Sequence, residues 1–234
     1  MLDDRTVNYL NSYTMSANKI ELIVDSSELM GLEIPQYWKE IFSKSDFEGR
    51  KSVILREWNK YLKTELSNTI SYLNDFLVDI SLIRIGSQCY LIYSIQSYQS
   101  KKMLYYIGGN PIDCLNESNG TVKENWKLID SSITDFYAHL HNGFSIFESR
   151  SMGLDAISDV ESMDEYDWEY EEQLTIDTSL IYNFFSNGLG QYIVLDITKP
   201  LESGALLWST KNMPKDGLNF WHVIDEWIVV GFDV

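Results

Sequence analysis

The chain has 234 residues, 44% of them hydrophobic and 14% aromatic, with 35 acidic residues against 18 basic ones and a formal net charge of −17. That length and apolar content allow a buried core without covalent staples and exclude a disordered or low-complexity chain. No apolar run approaches the ~20 residues of a membrane helix, the opening MLDDRTVNYLNSYT has neither the basic nor the apolar segment of a secretory signal, and Cys89 and Cys114 lie in no metal-ligand spacing, as expected of reduced thiols in a cytoplasmic protein.

In chain order, residues 19–25 (KIELIVD) predict a strand, and Pro35 followed by QYWKEIF predicts a short helix with proline in its first turn, where the missing N–H costs nothing. From Gly49 a long helix is expected, because Ile54, Trp58, Tyr61, Leu62, Leu66, Ile70, Leu73 and Leu77 recur at three- and four-residue steps and form one apolar stripe. Residues 80–85, 89–97 and 103–107 read as three consecutive strands joined by polar turns at Gly86-Ser87 and 99–102. Breaker-rich stretches at 108–111 and 116–120 bracket a candidate boundary. They divide the chain into an N-terminal α+β region, 1–125 (an extension or the first half of one sheet), and a second region, 126–234. A helix with Ser131, Ser132 or Thr134 as its cap then runs to Leu140 and stops at Asn142-Gly143. A short strand at 144–147 follows, then an acidic stretch with a helix around Ala156. Strands at 180–185, 192–197 and 205–209 come next, the middle one entered through Asn187-Gly188 and Gly190. Residues 220–228 (FWHVIDEWI) close as a helix with Trp221, Ile224, Trp227 and Ile228 on one face.

The charge is unevenly placed. Residues 1–127 hold sixteen acids and fourteen bases, whereas 151–198 hold eleven acids and no Lys or Arg. Direct nucleic-acid binding is disfavoured, since phosphate affinity rests on basic side chains. A basic protein partner is the natural complement of such a field, and a solvated loop serving solubility is the alternative. Catalytic motifs are missing. His139 and His141 are two apart, so on a helix they point to different faces, and no further ligand stands at zinc spacing. No GxSxG and no local Cys–His motif occurs. Gly188-Leu189-Gly190 lacks the lysine and third glycine of a phosphate loop and reads as a turn. A glycosidase-like carboxylate pair within the acidic run would arise by chance. No catalytic residue, metal or cofactor is expected, and the chain reads as a binding protein rather than an enzyme.

Within the acidic run, DEYDWEYEE stands apart. Tyr166, Trp168 and Tyr170 alternate with Asp164, Glu165, Asp167, Glu169, Glu171 and Glu172, so an extended backbone would put aromatics on one face and carboxylates on the other. Aromatics framed by charge suit interface anchors, or they pin an edge strand to the core.

The helix leading into Phe136, Tyr137, Leu140, His141, Asn142 and Gly143 is followed by a turn and strand carrying Asn187, Gly188, Gly190, Tyr192, Val194 and Asp196. A strand with Trp208 and the closing amphipathic helix complete the order, which resembles the SMI1/KNR4 family of the SUKH superfamily over residues 126–234. The resemblance implies an α+β domain whose mostly antiparallel, possibly mixed, sheet has helices packed on one side. It also implies an immunity role, binding and occluding a cognate bacterial toxin domain such as a nuclease, with no catalytic set to transfer. On this reading Asp164, Glu165, Asp167, Glu169, Glu171 and Glu172 steer a basic toxin surface and Tyr166, Trp168 and Tyr170 anchor it, without contact to nucleic acid or membrane. A regulatory or scaffold adaptor of the same fold is the rival. An enzyme with an acidic site would instead require a concave pocket holding carboxylates of shifted pKa.

Overall fold

The computed structural model describes residues 2–15, 18–116, 121–166, 168 and 176–233. The strands are β1 (Ile20–Leu22), β2 (Leu77–Ile85), β3 (Gln88–Gln96), β4 (Met103–Gly109), β5 (Phe144–Ile146), β6 (Gly153–Leu154), β7 (Ile181–Ser186), β8 (Gln191–Asp196), β9 (Ala205–Ser209) and β10 (Asn212–Leu218), with β-branched and aromatic residues concentrated in β2–β4, β7 and β8. They form one ten-stranded sheet whose spatial order is the chain order. Every registered pair is antiparallel, so the sheet is not mixed. Gly86, at φ +61°, turns the tight β2–β3 hairpin that pairs Ile85 with Gln88. The regions 1–125 and 126–234 meet edge to edge inside this sheet, where β4 pairs with β5.

The helices are α1 (Asp4–Leu10), α2 (Ser26–Leu29), α3 (Gln36–Ser43), α4 (Phe47–Leu62), α5 (Ser67–Phe76), α6 (Pro111–Asn116), α7 (Thr121–Glu124), α8 (Ser131–Asp135), α9 (Leu201–Gly204) and α10 (Phe220–Gly231). The main core lies on the sheet's first face. There Trp38 and Ile41 of α3, Ile54 and Trp58 of α4, Leu73 of α5 and Ile224 and Ile228 of α10 pack on Leu91, Tyr93, Tyr106, Phe144, Phe184 and Ile193. Among the described residues, no helix is long and apolar enough to cross a membrane.

The second face is covered at its two ends. Val7 and Leu10 of α1 lie on Ile83, Ile92 and Ile107 at one end. Met163, Tyr166 and Trp168 lie on Val194, Leu206 and Trp208 at the other. Between them the residues in register are small. Ile107 pairs with Ser145, Gly153 with Ser186, Ser186 with Tyr192, and Tyr192 with Trp208. The middle of the face is therefore low while its flanks are tall.

Several expectations are corrected. The helix starts at Phe47, one residue past its Asp46 cap, rather than at Gly49. The apolar stripe belongs to two helices broken at 63–66, and Leu77 opens β2 instead of ending a helix. Leu66 at the start of α5 offers no side-chain cap. The cap comes from α10, whose Asp225 carboxylate accepts the Asn68 and Thr69 amides at 2.9 and 2.8 Å. Asp130, not a Ser or Thr, caps α8. The helix expected around Ala156 is a 3₁₀ turn at Ile157–Asp159. Strands β6 and β10 were not anticipated, one too short and the other too polar to show an apolar alternation.

Asp225 is only 4% exposed, so truncating it leaves two amides without their acceptor. Asp225→Ala is expected to cost about 2–4 kcal/mol in urea unfolding, combining cap loss with unsatisfied donors. Amide exchange at Asn68 and Thr69 should quicken as well. A loss under about 0.5 kcal/mol, the scale of an ordinary surface substitution, would mean α5 is capped some other way.

Candidate functional site

The Asn-Gly stop is a junction at the centre of the sheet. After α8 the chain widens into a π-helical turn, Phe136–Leu140, closed by the His141 amide on the Phe136 carbonyl at 3.0 Å. His141 is fully buried against Trp38, Trp58, Tyr93, Phe136 and Phe144. Its Nδ1 faces the Gly109 carbonyl at 3.3 Å, which can only accept, so Nδ1 carries the proton. Nε2 is then the acceptor for the Tyr93 hydroxyl at 2.6 Å, and the Tyr93 oxygen accepts Trp58 Nε1–H at 3.2 Å. Burial drives the imidazole down to about 3, consistent with this neutral tautomer.

The next two residues turn toward the second face. Asn142 donates its amide to the Gly109 carbonyl at 3.0 Å, and the Gly109 amide returns to the Gly143 carbonyl at 3.2 Å. Asn142 Oδ1 accepts the Ile157 amide at 2.8 Å. A Cβ at Gly109 would collide with the Asn142 carbonyl, and Gly143, at φ +80°, lies against the backbone of Asp155 and Ala156. The second glycine turn closes on the same neighbourhood. Asn187 Oδ1 accepts the Leu189 and Gln191 amides at 2.8 and 3.1 Å, and Gly188, at φ +72°, lies against Ser151. On either side of Ser151, Arg150 and Met152 hold left-handed φ of 53° and 52°, a strain that non-glycine residues rarely carry.

These supports bound a cleft of about 210 Å³ in the low middle of the second face. Tyr90, Ser145, Arg150, Asp155, Asp159 and the Asn142–Gly143 backbone contribute to its lining. The Arg150 guanidinium sits 4.9 Å from the Phe147 ring centre and 6.0 Å from that of Tyr90. Asp155 keeps a window to solvent but is packed by protein on most sides. That desolvation, with the nearby Asp159 carboxylate, raises its carboxyl to about 8. A larger groove of about 610 Å³ on the outer surface of α4 and α5 is open, and its Arg56 is already paired with Glu40 and Glu57. Among the described residues, no three His, Cys, Asp or Glu side chains are grouped to hold a metal.

Of the residues expected to bind a partner, Asp164 and Glu165 are exposed on a 3₁₀ turn, the former accepting from the Ser162 hydroxyl. Tyr166 and Trp168 are half-buried, their ring centres 5.6 Å apart. Trp168 packs at a tilt against Trp208, ring centres 5.1 Å apart, and donates to the Met163 carbonyl at 2.9 Å. Asp167, Glu169, Tyr170, Glu171 and Glu172 lie outside the described residues. Sequence reasoning missed the grouping of Arg150 with Asp155, Asp159 and Tyr90. One signal was available, because Arg150 is the only base between Lys127 and Lys199. No protein-family model matches this chain, and no curated protein or solved structure matches it.

Two titrations of opposite sign are built into this region. His141 lies below its ordinary 6.5 when folded, so the stability linked to its neutral form is full above about 6.5 and is lost toward about 3. Asp155 lies above its ordinary 3.8, so the stability linked to its protonated form is full below about 4 and is lost as pH rises through about 8. Asp155→Asn should therefore gain stability over the parent chain as pH rises from 4 to 8, measured by urea melts. A difference that stays flat across that range would rule out a displaced Asp155 carboxyl.

Proposed function

We propose that this chain is an immunity protein of the SMI1/KNR4 kind, a non-catalytic cytoplasmic partner that binds and occludes a basic bacterial toxin domain. The observation that carries the reading is the charge asymmetry: eleven acids and no base across 151–198. Asp159, Glu161, Asp164, Glu165 and Asp177 of that run are exposed. A nuclease or other nucleic-acid-modifying toxin presents Lys and Arg to phosphate, so an acidic face can stand in for the substrate backbone and speed encounter. Tyr166 and Trp168, half-buried beside those carboxylates, offer large rigid area at low entropic cost.

The cleft favours a second reading, in which the chain handles a small molecule, since a carboxyl displaced by burial in a concave site is what such chemistry uses. An adaptor role would be distinguished from immunity by the neighbouring gene. A toxin domain encoded beside this chain, co-purifying with it and rescued by it in a growth test, supports immunity. Replacing Asp164, Glu165, Asp167, Glu169, Glu171 and Glu172 together by Ser should slow toxin association by roughly tenfold or more and flatten its salt dependence. Association indifferent to both the replacements and added salt would overturn the acidic-face mechanism.

A further inference from the structure

Three of the arginines form ion pairs: Arg50 with Asp79 at 3.0 Å, Arg56 with Glu40 at 2.8 Å and Arg84 with Glu21 at 2.6 Å. Arg150 does not, although it lines a cleft that also holds Asp155 and Asp159. Neither the Arg150 nor the Asp155 side chain makes a hydrogen bond or ion pair among the described residues. Arg150 is instead held on the aromatic wall formed by Phe147 and Tyr90. The cleft thus presents a cation on one side and two carboxyls on another, with unused bonding capacity at both.

That arrangement selects among ligands. A simple anion would meet Arg150 but also the repulsion of the Asp159 carboxylate. A simple cation, such as a basic side chain of a protein partner, would meet the acids but also Arg150. A molecule carrying both charges a few ångströms apart satisfies both sides at once. Size narrows the choice further. About 210 Å³ is below the ~300–1,000 Å³ of pockets for drug-sized ligands. That size favours a ligand no bigger than a free amino acid.

We infer that this cleft binds a small zwitterion of the α-amino acid class, its carboxylate on the Arg150 guanidinium and its ammonium on Asp155 and Asp159. Ser145 and the Asn142–Gly143 backbone supply neutral polar surface between the two ends. The strained φ of Arg150 and the crowding of two carboxyls are then costs that ligand binding offsets.

The test is calorimetric titration of the full chain with each of the twenty amino acids, using acetate and methylammonium as single-charge probes. At least one amino acid should bind saturably, at least tenfold more tightly than either probe, and Arg150→Gln and Asp155→Asn should each weaken it tenfold or more. Thermal melts of both variants establish that they fold. Three results would overturn the inference: no amino acid binds; methylammonium binds as well as any amino acid, which marks a pocket for a basic side chain; or both folded variants bind like the parent. This inference stands apart from the immunity reading, because toxin binding measured on the same two variants can persist whether or not the zwitterion binds.

Discussion

A histidine with no path to water governs the centre of this sheet. Burial disfavours a second proton on His141, and the one it carries is held by the Gly109 carbonyl. Its neutral form completes a line of donors from Trp58 through Tyr93 to the imidazole, and on to that carbonyl, joining α4, β3, β4 and the end of the π-helical turn. The fit leaves no room on the strand side, where a Cβ at Gly108 would enter the imidazole ring. One residue later the chain has turned toward the second face, and Asn142 and Gly143, still buried, form part of the cleft. The geometry that buries the histidine therefore also fixes the floor of the candidate site.

The two faces of the sheet do different work. The first carries the main core and most of the helices, where large side chains interlock. The second is tall at its ends and low in the middle, because Ser145, Gly153 and Ser186 stand between Ile107 and Tyr192. Arg150 and Met152 in left-handed backbone, and a carboxyl held near another carboxyl, are costs that core packing does not require. Their gathering around the low region is the kind of local conflict that sequences retain for binding.

The strands β2–β4 and β7–β9 were legible in the sequence, as was the closing helix α10, because each carries its own periodicity. The break between α4 and α5 was not. The apolar stripe continues through it, and the group that starts α5 lies on Asp225, far along the chain. The cover provided by α1 and the cleft in the low middle of that face were equally hidden, since they arise from register across the sheet. Of the site, the acidic run was plain in the composition. The meeting of Asp155 with Tyr90 and Arg150 was not, because it depends on β3, the loop after β5 and the residue after β6 coming together in space. The two glycine turns were visible as turns, and their neighbours, Gly109 and Ser151, were visible only in three dimensions.

Because the strands are ordered in space as in sequence, each can add to its predecessor as synthesis proceeds from the N-terminus. The α5 helix breaks that simple progression. Its first amides wait for a carboxylate 157 and 156 residues further on. A nascent chain could lay down most of the sheet while α5 remains frayed at its start. The arrival of α10 then acts as a latch, closing an early helix with a residue made long after it.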